Sequence, residues 1–255
     1  NKASLTHPSV KDFVLAYTRE TFNMFSKVDK KQEMINKYLK LHPNIENYIS
    51  EIKDKVFVQN IPNAKYIGIH YRGTDKIAEK NTPEEFPIHY EYDKIYDILN
   101  KRKNVLEFKR GKKVYFVVST DEKPFLDHMI RRFGDRVLYY KEGFRSELST
   151  SGMKENFENI VPRNRKIDTS SLDEEERNKY ELRDTLINSS LHIGYKDKSN
   201  YRKALDCLID AKILDRCDIL YKSKGNFSLF CKWFNKSSNL EVHDLNEIYE
   251  KKTRS

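Results

Sequence analysis

The sequence predicts an α/β fold built on a parallel sheet, preceded by a helical segment. Short apolar runs of strand length alternate with helical patterns after residue 64. These runs are apolar at consecutive positions, as strands buried on both faces are. Residues 1–63 show helical spacing only. Strands that alternate with helices form parallel sheets covered on both faces.

The first 63 residues favour helices. Apolar residues recur at helical spacing over 10–25, 34–41 and 45–58. Prolines follow the second and third stretches, as they do at helix ends. We therefore expect residues 1–63 to form a helical segment and residues 64–255 to form the α/β domain.

The remaining elements follow in alternation. The predicted strands are 66–71, 114–119, 136–140, 218–221 and 240–245, and the predicted helices are 89–103, 124–133, 183–193, 200–216 and 227–234. Residues 145–180 are polar and predict a loop or an exposed helix. Ligands of such sheets bind at the carboxyl ends of the strands. Polar residues directly after a strand are therefore the candidates for a site.

Composition restricts the partners. The net charge of +9 favours anionic partners, including phosphorylated small molecules and membrane surfaces. Lysines are spread along the whole chain, which favours a solvated surface over a nucleic-acid interface, and no nucleic-acid partner is expected. Three cysteines without metal-ligand spacing predict neither zinc nor a disulfide framework, and Cys207 and Cys217 are expected to be buried. No apolar run approaches the ~20 residues of a membrane span.

Localisation is expected to be cytoplasmic. The chain begins at Asn1 rather than Met. If an amino-terminal anchor precedes that residue, we expect the Golgi or another secretory compartment instead.

A polar cluster follows the first predicted strand. Arg72 offers a planar fork of donors that matches two phosphate oxygens. Asp75 can orient Arg72 or accept a proton from a substrate hydroxyl. His70 can stack on a ligand or form a hydrogen bond to it, and Lys76 adds a second cation. The alternative is a structural turn with an Arg–Asp salt bridge, and these residues alone favour neither interpretation.

Two residues follow the second predicted strand and precede a helix. Thr120 and Asp121 stand where a helix is capped, and spacing alone favours capping. The functional alternative is that both line a nucleotide cleft.

A third cluster lies near the end of the chain. Asp210 falls within the apolar repeat of helix 200–216. A carboxylate beside a buried helix face needs a partner, and guanine presents both an N–H and an amino group. The alternative is that Asp210 reaches water. In the loop 223–228, backbone N–H groups can hold a phosphate, or Asn226 and Ser228 can cap the next helix.

Together these clusters resemble one enzyme family. The segment 70–76, HYRGTDK, resembles the HxRxTDK motif of the α-1,6-fucosyltransferases, which include the nodulation-factor enzyme, and of the related protein O-fucosyltransferases. The segments 208–218 and 225–228 resemble the later Ile-Asp helix, Cys-Asp strand and SN(V/F)S loop of that family. Residues 119–122 match its intervening Thr-Asp strand end. The resemblance covers about 64 to 245.

The resemblance implies a fold of GT-B type, with two Rossmann-like lobes and the donor in the carboxyl-terminal lobe. It implies inverting transfer of fucose from GDP-fucose to a hydroxyl of a glycan or protein. No DxD-like metal site stands out in the sequence and Arg72 can replace a cation, so we expect neither a metal nor another cofactor. Arg72 and Asp75 are the implied catalytic residues, and Arg72 contacts the β-phosphate, with Lys76 as a helper. The implied donor contacts are His70 and Asp210 at guanine, Asn226, Phe227 and Ser228 at the diphosphate, and Thr120 and Asp121 along the cleft.

The chain departs from this family at two places. Gly73 stands where the close α-1,6 relatives have a second arginine, and the amino-terminal lobe is short, so either the chain is a fragment or the acceptor lobe is reduced and helical. His192 matches a family histidine only weakly. The alternative functions are a glycosyltransferase of the same fold that uses another sugar nucleotide, and a non-catalytic protein that binds nucleotides or polyanions.

Overall fold

The computed structural model describes most of the α/β region and little of the rest. The described residues are 41–57, 61–73, 91–147, 149, 173, 174, 177, 178, 181, 200–223, 227, 231, 232, 234, 235, 239–245, 247 and 248, with only the backbone of 200–203. The predicted helices over 10–25, 34–41 and 183–193 lie outside these ranges.

Within the described ranges, four helices and five strands are defined, and they alternate up to β4. The elements are α1 (Pro43–Val56), β1 (Ala64–Tyr71), α2 (Tyr92–Arg110), β2 (Lys113–Thr120), α3 (Lys123–Phe133), β3 (Val137–Leu138), α4 (Asn200–Ile213), β4 (Ile219–Lys222) and β5 (Glu241–Asp244). Short 3-10 turns, Gly134–Arg136 and Leu214–Arg216, precede β3 and β4. The predicted order of elements is confirmed in this part of the chain.

Local chemistry accounts for the ends of these elements. Helix α2 stops at Gly111, which adopts the left-handed conformation at φ 57° and returns its N–H to the carbonyl of Glu107. It continues past the predicted end at 103 because Val105 and Phe108 lie on the exposed side, so these apolar residues of its last two turns do not continue the spacing of the buried face. The third strand is shorter than the predicted 136–140 because the 3-10 turn takes up Arg136.

The five strands form one parallel sheet, which confirms the predicted α/β class. The strand order is β3-β2-β1-β4-β5, and every pair is parallel. The chain moves outward from β1 to β2 and β3, and then returns to place β4 on the other side of β1. In such sheets the change of direction opens a crevice at the carboxyl ends of the two central strands. That crevice lies between the ends of β1 and β4.

One face of the sheet, called here the first face, carries the apolar core. Helices α2 and α3 pack on it through side chains that are almost wholly inaccessible to water. The core includes Ile67, Ile69 and Tyr71 of β1, Val114, Phe116 and Val118 of β2, Ile95, Leu99 and Leu106 of α2, and Phe125, Met129 and Phe133 of α3.

The opposite face, called here the second face, receives α4 and the turn that follows it. A Cβ added to Gly68 would lie 2.8 Å from the Cys217 Sγ, so the absence of a side chain there allows this close approach. Asp218 holds the start of β1 by accepting from the Tyr66 N–H at 2.9 Å and from the Lys65 Nζ at 2.5 Å.

Helix α1 belongs to the same compact unit as the sheet. The Lys53 Nζ lies 2.5 Å from the Asp215 carboxylate in the turn after α4. The division at residue 63 stays a prediction. Within the described ranges, no helix is both long and apolar enough to cross a membrane.

Candidate functional site

A small cavity lies at the carboxyl ends of β1 and β2, beside α4. Its volume is about 40 Å³. Six of the predicted site residues line it: His70, Arg72, Thr120, Asp121, Asp210 and Phe227. Its other lining residues are Tyr71, Ser119, Gly143, Phe144, Asp206 and Cys207. The predicted residues Asp75, Lys76, His192, Asn226 and Ser228 lie outside the described part of the chain.

The end of β4 holds the first residues after β1. The Arg72 backbone N–H donates to the Ser223 Oγ at 3.1 Å. The Ser223 hydroxyl and N–H donate in turn to the His70 carbonyl, at 3.3 and 2.9 Å. Arg72 is half-buried and lies on the cavity. The end of β4 therefore fixes the backbone of the arginine that the sequence singled out.

Asp121 ties the end of β2 to the chain after β1. Its Oδ1 accepts a hydrogen bond from the Gly73 N–H at 3.0 Å, and the contact is buried. The predicted capping role of Thr120 and Asp121 is wrong: the N-cap of α3 is Glu122, with no side-chain cap. Thr120 instead accepts from the Glu122 N–H at 3.1 Å. The neighbouring strand supplies a donor to the Asp121 carboxylate that spacing within its own segment did not reveal.

The His70 ring forms one wall of the cavity. It is buried and lies 5.0 Å from the Phe227 ring, at an angle of 48°. Burial lowers the pKa of His70 to about 3, and the charges of Arg72 and Lys222 act in the same direction. The ring is therefore neutral near pH 7 and offers one donor and one acceptor nitrogen.

Asp210 presents an enclosed carboxylate to the same cavity. The Ser119 hydroxyl donates to it. Its Oδ1 is inaccessible to water and has no hydrogen-bond partner among the described residues. The pKa of Asp210 is raised to about 6, mainly by burial and to a smaller extent by Asp206 and Asp121, while Arg145 and Ser119 oppose the rise. The carboxylate is thus largely ionised at pH 7, and a buried acceptor of this kind favours a ligand that brings a donor.

Arg145 is a site residue that sequence reasoning missed. Its two terminal nitrogens donate to the carbonyls of Gly143, at 3.0 Å, and Tyr140, at 2.8 Å. The guanidinium lies 5.5 Å from the centre of the Tyr139 ring. Among the groups that stabilise the ionised Asp210, Arg145 exerts the largest effect.

Backbone pairing places the turn that carries Arg145 and Phe144. The Ser146 N–H donates to the Asp121 carbonyl at 2.7 Å, and the Lys123 N–H donates to the Ser146 carbonyl at 2.8 Å. This pairing brings a segment predicted to be a loop against the end of β2. No residue pattern in the sequence signals it, because the partner is a backbone some twenty residues away.

Asp206 and Cys207 were also missed, although Asp206 had a detectable signal. Asp206 and Asp210 are four residues apart, a spacing that places both on one face of a helix. Asp206 is buried, and Cys207 is half-buried rather than buried as predicted. Burial, with Asp210 second, raises the pKa of Cys207 to about 11, so its thiol is neutral and unsuited to nucleophilic attack. Cys217 is buried, as predicted.

Metal ligands do not cluster in this region. Within the described ranges, no group of three or more His, Cys, Asp or Glu side chains is arranged to hold a metal ion.

Comparison with known proteins gives a likeness among solved structures. No family model matches the chain, and no curated protein matches it. Among solved structures, the chain is similar to the crystal structure of NodZ alpha-1,6-fucosyltransferase soaked with GDP-fucose, with 16% sequence identity and a TM-score of 0.36. The likeness covers 76% of this chain and 43% of that one, so the chain spans less than half the length of that enzyme.

The volume of the cavity limits the size of the molecule that it can hold in this conformation. A volume of about 40 Å³ suits one or two water molecules, whereas small-molecule sites measure roughly 300 to 1,000 Å³. Phe144 and Phe227 are the large apolar side chains on its wall beyond the strand ends. A ligand larger than this volume would enter only if lining side chains moved.

Proposed function

We propose that this chain is the donor-binding part of an inverting glycosyltransferase that transfers fucose from GDP-fucose to a hydroxyl of a glycan or protein. One observation carries the proposal. Arg72 and Asp210 line one cavity at the carboxyl end of the sheet, although 138 positions separate them along the chain. The order of the three sequence motifs also supports it.

Guanine suits the acceptor that Asp210 offers. Its N1–H and 2-amino groups are adjacent donors, and a carboxylate can accept both in a bidentate contact. The Oδ1 of Asp210 has an unused acceptor site among the described residues, and the His70 and Phe227 rings provide an aromatic wall for a base. Uracil has a single N–H on its pairing edge, so the pair of donors distinguishes the two bases.

Arg72 is the proposed counter-charge for the diphosphate. When an acceptor hydroxyl displaces GDP from the anomeric carbon, negative charge develops on the leaving phosphate. A fixed cation directed at that position lowers the barrier. Asp121 holds the Gly73 N–H, and Ser223 holds that of Arg72, so the backbone beneath the guanidinium is fixed on both sides. A fixed guanidinium can replace a metal ion at this position, and the reaction is proposed to be independent of Mg²⁺.

The remaining roles follow from the motif resemblance. Lys76 and the loop of Asn226, Phe227 and Ser228 are proposed to contact the diphosphate, and Thr120 lines the cleft. Asp75 is proposed to act as the base or to orient Arg72.

The decisive experiment compares Arg72→Ala with Lys101→Ala, a matched loss of one cation on the exposed side of α2. GDP release from GDP-fucose is measured over a panel of glycan and protein acceptors, with and without Mg²⁺. Arg72→Ala should lower turnover by at least ~100-fold, as loss of one fixed transition-state donor does elsewhere. Lys101→Ala should retain activity, and both variants should keep the parent melting temperature. Full turnover by Arg72→Ala would remove the central assignment.

A second candidate is a non-catalytic binder of nucleotides or polyanions, which the small cavity and the net charge of +9 favour. Thermal shift separates the two. A shift with GDP-fucose that exceeds the shift with UDP and ADP sugars supports the enzyme. No shift with any sugar nucleotide, together with polyanion binding that weakens steeply with salt, supports the alternative.

A further inference from the structure

A second and larger hollow lies on the second face of the sheet, over the amino-terminal halves of β1 and β2 and beside the edge strand β3. Its volume is about 340 Å³, which falls in the range of small-molecule sites. We call it the amino-end groove. Its lining comes from the end of α1 and from the three strands: Lys55, Val56, Phe57, Ile61, Tyr66, Lys113, Tyr115, Asp135, Val137, Leu138, Tyr139 and Lys141.

Three aromatic rings in a contacting row line this groove, and we call them its floor; Tyr66 is half-buried, and Phe57 and Tyr115 are buried. The Phe57 and Tyr66 rings meet edge to face, with centroids 5.2 Å apart. The Tyr66 and Tyr115 rings are 6.0 Å apart and tilted by 35°. Successive rings at these spacings offer stacking and edge contacts to a flat molecule.

Three lysines line the groove together with this floor. Lys55, Lys113 and Lys141 are exposed lining residues, and Asp135 is the acidic residue among the lining side chains. The Lys113 Nζ lies 5.4 Å from the centre of the Tyr115 ring, so a cation already sits beside the floor. Burial raises the pKa of Tyr66, so its phenol keeps its proton and can donate a hydrogen bond.

We propose that the amino-end groove binds a small planar anion, an aromatic ring that bears a carboxylate, sulfonate or phosphate group. The rings take the flat part of the ligand, and the three lysines take its charge. The lining also complements the ligand in charge, because its three lysines and one aspartate give it an excess of two positive charges.

This groove is separate from the candidate donor site. Tyr66 and His70 lie on the same strand and the same face, four residues apart, which places them about 13 Å from each other along β1. Gly68, covered by Leu214 and Cys217, lies between them. The proposal therefore stands or falls independently of the function proposed above.

Two fluorescent probes test the proposal on the full chain. The anion 8-anilinonaphthalene-1-sulfonate and the uncharged N-phenyl-1-naphthylamine are titrated against the parent chain, against Lys55→Gln/Lys141→Gln, and against the control Lys101→Gln/Lys109→Gln on α2. The groove variant should weaken sulfonate binding by about 5- to 25-fold, roughly one kcal/mol for each lysine near the charge. The control variant should bind like the parent, and the uncharged probe should bind more weakly and respond to neither change.

Two further measurements locate the probe. Tyr66→Leu, which removes a floor ring but keeps an apolar side chain, should weaken both probes if its melting temperature stays near that of the parent. If Tyr66→Leu unfolds, the comparison of the lysine double variant with its control tests the proposal without it. Saturating GDP should leave sulfonate binding unchanged. Equal binding of the two probes, no difference between groove and control variants, or displacement by GDP would overturn the proposal.

Discussion

The two faces of the sheet differ in chemistry, and the difference appears in alternate residues of the same strands. On the first face, β1 is apolar or aromatic from Ile67 to its end, at Ile67, Ile69 and Tyr71. Even at the carboxyl end this face is closed, because Tyr71 stacks on Phe125 with ring centroids 4.3 Å apart. The buried carboxylate of Glu122 accepts a hydrogen bond from the Tyr92 hydroxyl there.

On the second face, the side chains of β1 change from aromatic to polar toward the carboxyl end of the strand. It carries an aromatic ring at Tyr66, no side chain at Gly68 and a polar ring at His70. Asp210 and Arg145 meet that polar end. Neighbouring residues of one strand thus serve different purposes: the first face supplies stability, whereas the second face holds polar groups at a cost in stability. Four substitutions test this difference between the two faces.

The largest effect is expected on the first face. Phe116→Ala should lower the free energy of unfolding by about 3 to 5 kcal/mol, because it empties a fully buried site stacked on Phe133. Urea denaturation measures the change. Phe108→Ala is the matched control, since that ring is 90% exposed and its loss should change stability by less than about 0.5 kcal/mol. Equal costs for both variants would contradict this difference.

The next effect has the opposite sign. Asp210→Asn should raise the free energy of unfolding by up to about 3 kcal/mol at pH 8, because the folded chain raises the pKa of this carboxyl to about 6 and so disfavours its charge. The gain should shrink as the pH falls from 6 and vanish below about pH 4, where both states are protonated. Denaturation at several pH values gives the curve.

The same variant tests the site. Under the proposed function, Asp210→Asn should weaken GDP by about tenfold or more, since hydrogen bonds to a charged acceptor contribute about 1.5 to 3 kcal/mol. UDP affinity should change less. A variant that loses stability and keeps its preference for guanine would contradict both expectations.

A third test probes the close packing on the second face. Gly68→Ala should lower the free energy of unfolding by about 1 to 3 kcal/mol, because the new methyl group would lie 2.8 Å from the Cys217 Sγ and 3.0 Å from Leu214. Cys217→Ala should recover part of that loss when the two changes are combined. A double-mutant cycle measures the coupling. Simple additivity would mean that the two groups do not collide.

The smallest effect concerns pH. The folded chain lowers the pKa of His70 to about 3, so the unfolded chain takes up a proton near pH 6.5 that the folded chain does not. This residue therefore contributes stability above pH 6.5 that is lost as the pH falls. Relative to His70→Phe, the parent should lose about 1.4 kcal/mol between pH 7.5 and 5.5. A constant difference over that interval would place the ring in contact with water.

Sequence predicted the sheet well because burial on both faces leaves a strong local signal. The consecutive apolar residues of β1 and β2 marked both strands, and Gly111 ends α2 in the way that helix-terminal glycines do. The parallel arrangement followed from the alternation of elements alone. The length of β3 was overestimated because Arg136 belongs to a 3-10 turn and the apolar run continues through Tyr139 and Tyr140, which follow the strand without pairing in the sheet.

The site was predicted where a residue stands directly after a strand, and missed where long-range pairing decides its place. Arg72 and His70 could be identified because they stand at the end of a predicted strand. Arg145 depends on the backbone pairing of Ser146 with Asp121, and Asp121 bonds to Gly73 instead of capping its own helix. Partners of this kind are not encoded within any short window of residues.

The position of β4 beside β1 has a consequence for biosynthesis. About 150 residues separate these hydrogen-bonded strands, so on the ribosome β1 and β2 can pair well before the segment with Asp210 and Asp218 has been made. Contacts so distant along the chain form slowly and leave an unprotected strand edge in the meantime. A nascent chain would therefore acquire its apolar core early and its candidate site late, and truncation after β3 would expose the edge of β1 to aggregation.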